Sequence, residues 1–431
     1  MLNPTTVLPR VRRCVVGACV GLSLALPVHG QSQELPRSRP EHVGMSSARL
    51  ERLTATLRDY ATNDRLAGAV LLVARRGQVV YLEAVGARDP EADAPMQADA
   101  IFRIASQTKA IVSVTAMTLM EEGRLLLTDP VGTYLPEFQH TSVAVAKASG
   151  GYEVVEATRP ITIRDLLTHT SGVSYGSGPA SDRWSQAGQQ GWYFADRDEP
   201  IGASVATIAS LPFDAQPGER WVYGYSTDIL GAVIETITGQ ALDAVVRERV
   251  LDPLGMRDTH FFLPEADRDR LAVVYSAMAG GLERAPTPGA MVGQGAYVDG
   301  PRRSFSGGAG LLSTARDYAR FLQMLLNGGA LDGRRVLGRK TVELMVTDHL
   351  EGLPFRPGQG FGLGFSVVTD LGARGVPGSV GEFGWGGAYH STYWVDPVEE
   401  LVVVYLTQLI PAGSVDDHGK LRALIYQSII D

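Results

Sequence analysis

At 431 residues, 45% hydrophobic and 20% charged, with no low-complexity tract, the chain has an ordinary globular composition, long enough to bury one large core or two lobes. Its formal net charge is −8, from 39 basic and 47 acidic residues, and it has no basic block, which argues against nucleic acid or an anionic membrane as partner. Both cysteines, Cys14 and Cys19, lie near the N-terminus, so the remainder offers no disulfide framework, thiol nucleophile or thiolate metal site.

The first elements are of a different material from the rest. Arg10, Arg12 and Arg13 precede an uncharged apolar run from Cys14 to Val28, and Val28-His-Gly30 puts small residues where a signal peptidase reads. Residues 1–30 therefore read as a secretory signal, too short for a stable membrane anchor. Val16-Gly-Ala-Cys19 loosely resembles a lipoprotein cleavage site but lies too early in the apolar run. Cleavage would take the net charge to −11 and leave a periplasmic or secreted protein with no other stretch of membrane-spanning length.

Residues 31–45 read as a linker, and 46–428 as one domain. An amphipathic helix is predicted from about Ser47 to Thr62. The runs Gly68 to Arg75 and Val79 to Val85, joined by Arg76-Gly77-Gln78, predict a hairpin. Helical signals then dominate, at Ile163 to Leu167, Thr227 to Thr238, Leu242 to Val250 and Thr314 to Asn327. Strands return at Gly364 to Val368, Ser391 to Asp396 and Leu401 to Leu406, before a last helix from about Asp416 to Ile430. The expected fold is α/β (α+β). Both chain ends (about 46–100 and 345–428) share one antiparallel sheet flanked by helices, and a mostly helical lobe (about 101–344) is inserted between them.

Within that lobe, Ser106 and Lys109 stand three apart at the start of the run Ala110 to Met120, which carries no charge and ends at Gly123. Such a run predicts a helix buried on all sides, and an i, i+3 spacing sets the amine beside the hydroxyl. A serine is a poor nucleophile until a base takes its proton. A lysine can be that base only if its pKa falls well below about 10.4. Only four lysines occur in the chain, and Lys109 alone has a Ser three residues before it. Two further stretches attract notice. Tyr223-Gly-Tyr225-Ser226 precedes a predicted helix, with Ser226 as N-cap. Gly384-Trp-Gly-Gly387-Ala388 leads into a strand, where glycine pairs mark a bulge or close approach.

Together these stretches resemble the serine beta-lactamase and penicillin-recognising hydrolase superfamily, in the branch of class C beta-lactamases and family VIII carboxylesterases. The similarity runs from about 41 to 425. It includes Phe102-Arg-Ile-Ala-Ser106, Leu166-Leu-Thr-His-Thr-Ser-Gly172, Pro253-Leu-Gly-Met256 and Gly308-Ala-Gly-Leu-Leu-Ser-Thr314. The resemblance implies that Ser106 is the nucleophile and Lys109 its base or the group that tunes it. It makes Tyr223 the proton carrier to the leaving group, and the amides of Ser106 and Ala388 the oxyanion hole. Tyr225, Trp385, Gly386, Gly387 and His390 are the implied substrate-binding positions.

Departures from the family pattern bear on substrate. Tyr225 replaces the Asn that holds a substrate amide, and Trp385-Gly386-Gly387 replaces Lys-Thr-Gly, removing a cation that attracts a penicillin carboxylate. Both favour small, neutral acyl esters, hydrolysed without cofactor or metal. Rival readings are a beta-lactamase or D-amino-acid-specific peptidase, a non-catalytic sensor, and an acyltransferase. Gly172-Val-Ser174-Tyr-Gly176 spells an alpha/beta-hydrolase elbow but lacks the strand that must precede it. His169 reads as structural, and histidine spacing shows no metal motif. The segment Ser177 to Pro200, with Trp184, Trp192, Tyr193 and Phe194, is expected to form a lid over the acyl pocket.

Overall fold

Gly68–Arg75 and Gln78–Asp89 form the expected hairpin in the computed structural model, which describes Met1 and residues 34–431. Arg76 and Gly77 make its two-residue turn, both at positive φ (51° and 74°), the backbone twist that suits a tight hairpin. The signal reading and both cysteines lie outside the described residues. Gly68–Arg75 is buried throughout because it is a central strand covered on both faces. Val70, Leu72 and Ala74 enter one core while Ala69, Leu71 and Val73 enter the other, following the two-residue period of a strand.

The sheet has eight strands, in the order Gln359–Phe361, Ser366–Val368, Phe383–Gly387, Ser391–Asp396, Leu401–Thr407, Gly68–Arg75, Gln78–Asp89 and Ala94–Pro95. All neighbours are antiparallel. The two chain ends meet in the register Ala69↔Thr407 to Arg75↔Leu401. Helices Ser47–Thr62 and Asp417–Tyr426 cover one face through Leu50, Leu53, Leu57, Leu421 and Ile425. Each such leucine contributes about 1.5–3 kcal/mol on burial. Ala315–Leu326 packs on the other face, capped at Thr314, whose Oγ1 accepts from the Asp317 amide at 3.2 Å. The fold is the expected antiparallel sheet flanked by helices.

Several boundaries differ from expectation. Residues 34–45 are not a loose linker: Leu35, Val43 and Met45 are buried, and Arg37 and Met45 bridge to Val79 and Ile429. Phe383–Gly387 is a strand despite three glycines, since its neighbours supply both ladders. The inserted region also holds two hairpins, Ser142–Ala146 with Tyr152–Glu156 and Tyr275–Met278 with Gly281–Arg284. Among the described residues no single helix is long and apolar enough to cross a membrane.

Candidate active site

Ser106 follows a constrained turn. Phe102–Arg103 pairs with Leu312–Ser313, Ile104 is right-handed, and Ala105 has φ +43°. A positive φ at a residue with a Cβ is a strain that neighbouring structure must impose. Ser106 then lies in a 3-10 turn, Ala105–Gln107, rather than in the α-helix itself, which runs Thr108–Glu121 and is buried from Thr108 to Leu119. That helix has no charged residue but Lys109 before its last turn, and every face of Thr108 to Leu119 packs.

Lys109 is 2% exposed. Its Nζ lies 2.8 Å from the Gly308 carbonyl, 3.0 Å from Tyr175 Oη and 3.4 Å from Ser106 Oγ, three polar contacts that fix the amine beside the serine. It also lies 4.6 Å from the centre of the Tyr223 ring. The Gly308 carbonyl is itself held in place, because buried Asp228 accepts from the Gly308 amide at 3.0 Å and from Ser306 Oγ at 2.6 Å. A Cβ on Gly308 would fall 2.4 Å from Asp228 Oδ2, so only glycine lets that backbone reach the lysine. Burial raises the Asp228 carboxyl above its usual range, against the opposing pull of Lys109.

Tyr223 sits over the same amine, and its Oη accepts from Trp385 Nε1 at 3.0 Å. His169, Trp221 and Trp385 pack round its ring at 4.7, 5.5 and 5.5 Å between centroids. His169 caps the helix Ile163–Thr168 in the left-handed region (φ 57°) and is fully buried. Burial, then the Lys109 charge, holds it well below the ordinary histidine pKa, so it is the neutral structural residue expected.

Three expectations are corrected. Tyr225 is 1% exposed and does not line the cleft; its hydroxyl donates to the Gly191 carbonyl and its ring stacks on Trp184. Its bulk and the start of the helix Ser226–Thr238 turn it into the core, away from substrate. Ser226 is the first helical residue rather than the cap, and its Oγ pairs with Ser171 Oγ at 2.8 Å. In the expected lid, Trp184, Tyr193 and Phe194 are buried core residues, and Trp184 lies on a short helix; Trp192 alone of these aromatics lines the cleft.

Tyr175 was not foreseen. It belongs to the Gly172–Gly176 stretch, where Ser174 drew attention as a false nucleophile. Ser174 is buried and accepts from the Gly176 amide at 3.0 Å, whereas Tyr175 faces Lys109. Burial, followed by Tyr223 and Asp228, pushes the Tyr175 phenol well above its usual pKa, so it stays protonated.

The second wall of the site is the strand Phe383–Gly387. A Cβ on Gly387 would stand 2.5 Å from the Ile104 carbonyl, so this glycine is what lets the strand end press against the serine turn and bring Ala388 to Ser106. Neither the Ser106 nor the Ala388 amide donates to a protein acceptor among the described residues. Two unclaimed N–H groups from two elements bordering one cleft could stabilise an oxyanion.

The cleft has a volume of about 740 Å³; Ser106, Tyr175, Tyr223, Trp385, Gly386 and Ala388 lie along it. His390 also reaches it, in the left-handed region (φ 63°), tied by Nε2 to Asp417 Oδ1 at 2.7 Å and stacked on His418 at 4.2 Å. Linear spacing concealed this grouping: donor atoms of His390, Asp417 and His418 fall within 4.8 Å of one another and could hold a cation. Asp417 already accepts from Tyr405 Oη at 2.6 Å and from the His418 amide at 2.8 Å, so the cluster is satisfied as a structural clamp on the turn that carries Ala388.

A sequence profile of the Beta-lactamase family matches residues 53–427. The chain belongs to the Beta-lactamase family. Among its relatives, Esterase EstB of Burkholderia gladioli is 36% identical over 84% of this chain and 91% of its own. Protein Rv1367c of Mycobacterium tuberculosis is 38% identical over 84% and 90%. The solved structure of "EstCE1, a hydrolase with promiscuous acyltransferase activity" superposes with a TM-score of 0.75 at 29% identity, covering 88% of this chain and 98% of that one. Membership of the Beta-lactamase family, with an esterase so similar along nearly its whole length, supports hydrolase chemistry of the carboxylesterase kind.

Proposed function

We propose that this member of the Beta-lactamase family hydrolyses small acyl esters through an acyl-enzyme on Ser106. The observation that carries the reading is the convergence on one hydroxyl. The Lys109 amine is 3.4 Å from Ser106 Oγ, and the unclaimed amides of Ser106 and Ala388 border the same cleft. In the first step Oγ bonds to the ester carbonyl carbon, and the carbon–oxygen bond to the alcohol breaks. The serine proton passes by way of Lys109 and Tyr223 to the departing alkoxide. In the second step a water oxygen bonds to the acyl carbon, the bond from that carbon to Oγ breaks, and a proton of the water passes by way of Tyr223 and Lys109 to Ser106 Oγ. The two amides stabilise the negative oxygen of both tetrahedral intermediates.

Esters rather than lactams or peptides are favoured because Trp385 stands where the family cation would, and Tyr225 turns into the core instead of offering an amide partner. Weak cephalosporin turnover is compatible with this, since a strained ring needs less help. The promiscuous acyltransferase activity of EstCE1 also favours a second reading, in which an alcohol replaces water as acyl acceptor. The proposed location, periplasmic or secreted, rests on the N-terminal signal pattern alone.

A paired assay tests the substrate class. With p-nitrophenyl butyrate and a chromogenic cephalosporin, kcat/KM is expected to be far higher for the ester, and Ser106→Ala should abolish both activities. The opposite ratio would make the protein a beta-lactamase; ester turnover surviving in Ser106→Ala would remove Ser106 from the mechanism.

A further inference from the structure

Replacement of the family's cation by Trp385 leaves the strand without a positive charge, yet the cleft is not without one. Arg356 lies with its Cζ 4.8 Å from the centre of the Trp385 indole and 5.1 Å from that of Phe355. Phe355 in turn packs against Trp221 at 4.8 Å, so the guanidinium rests on the aromatic group that surrounds Tyr223. The segment Pro354-Phe-Arg-Pro357 has a proline on either side of the pair, and the Arg356 carbonyl accepts from the Gln359 amide at 3.0 Å. Both features restrict its backbone.

The other charged side chains that line this cleft each have a partner, although Arg374 and Arg422 share a single carboxylate. Arg374 donates to Glu382 at 2.8 Å and Arg422 makes a second, buried pair with the same carboxylate, which also accepts from Tyr426. His390 is paired with Asp417, and burial, then the neighbouring His390, keeps His418 below the ordinary histidine pKa. The Arg356 guanidinium has neither a hydrogen bond nor a carboxylate partner among the described residues. A guanidinium over an indole, with none of its hydrogens given to a protein acceptor, is able to pair with an anion.

Resting on the ester-hydrolase reading, we propose that the preferred substrates carry a carboxylate remote from the scissile ester, and that Arg356, stacked on Trp385, is the residue that selects them. The indole supplies the platform, and a cation from a different loop restores the charge that the strand lost. On this proposal the small esters hydrolysed are anionic, in place of the neutral ones expected from sequence.

The test compares two pairs of esters: p-nitrophenyl butyrate with mono-p-nitrophenyl glutarate, which adds a charge on the acyl side, and methyl 4-(butyryloxy)benzoate with 4-(butyryloxy)benzoate, which adds one on the alcohol side. One charged ester should exceed its neutral counterpart in kcat/KM, and which one identifies the side that faces Arg356. In Arg356→Ala that preference should fall about tenfold, the value of one charge-assisted hydrogen bond. Arg356→Lys should retain part of it and Arg356→Glu should invert it. Raising salt should erode the preference in the wild type but not in Arg356→Ala. A preference absent in the wild type, or unchanged within twofold in Arg356→Ala, would overturn the proposal. If the neutral esters are not hydrolysed either, the failure lies with the hydrolase reading. Quenching of tryptophan fluorescence by glutarate, lost in Arg356→Ala, would then still uphold an anion site, and its absence in the wild type would dismiss it.

Discussion

Lys109→Met should lower kcat/KM for p-nitrophenyl butyrate by about 10³-fold, within the range that a positioned proton-transfer group supplies, while the protein stays folded. Methionine preserves the length and apolar stem of the side chain, and the helix Thr108–Glu121 is buried by its other residues. What is lost is the amine that joins Ser106 Oγ, Tyr175 Oη and the Gly308 carbonyl. The Gly308 carbonyl would be left without its donor in a buried place, at a cost of about 1–3 kcal/mol in stability. Thermal unfolding therefore separates the two effects: a modest fall in Tm with a collapse of activity fits the account. A fall in activity smaller than tenfold would mean that another group takes the serine proton.

The second large effect concerns the two phenols. Tyr223→Phe should reduce kcat by about 10²-fold with little change in KM, since a proton carrier acts chiefly in the transition state. Its ring, which packs on His169, Trp221 and Trp385, is retained in phenylalanine, so the site should keep its shape. Tyr175→Phe should be the milder change. Burial keeps that phenol protonated, so it orients Lys109 rather than exchanging protons with substrate. Rates for both variants on one ester decide the assignment. A larger loss in Tyr175→Phe than in Tyr223→Phe would exchange the roles of the two tyrosines.

The parts of this protein that could be read from sequence are those governed by local rules. The apolar run that fills Gly68–Arg75 up to its last residue, the charge-free run after Lys109 and the capped helix beginning after Thr314 each announce their element by composition or capping. Ser106, Lys109 and Tyr223 could be grouped from sequence because their spacing repeats a family pattern, and the fold places them together. Long-range placement stayed hidden. Tyr225 has the same residue type and neighbourhood as Tyr223, and only the direction of the following helix sends one to the cleft and the other to Trp184. Tyr175 is 66 residues from Lys109, with nothing in its own stretch to mark it. Phe383–Gly387 lacks a strand composition because its glycines serve close backbone approach, Gly387 to Ile104 and Gly384 to Tyr393, rather than side-chain packing. Arg356 could not be connected with Trp385 until the loop that carries it was folded over the sheet.

The central claim is that Ser106 forms a covalent acyl intermediate, and intact-mass measurement addresses it without reference to any natural substrate. After brief mixing with p-nitrophenyl butyrate and an acid quench, the protein should gain the mass of one butyryl group, with the modified peptide containing Ser106, and Ser106→Ala should gain none. An unmodified mass during active turnover, or a butyryl group on any other residue, would contradict the account.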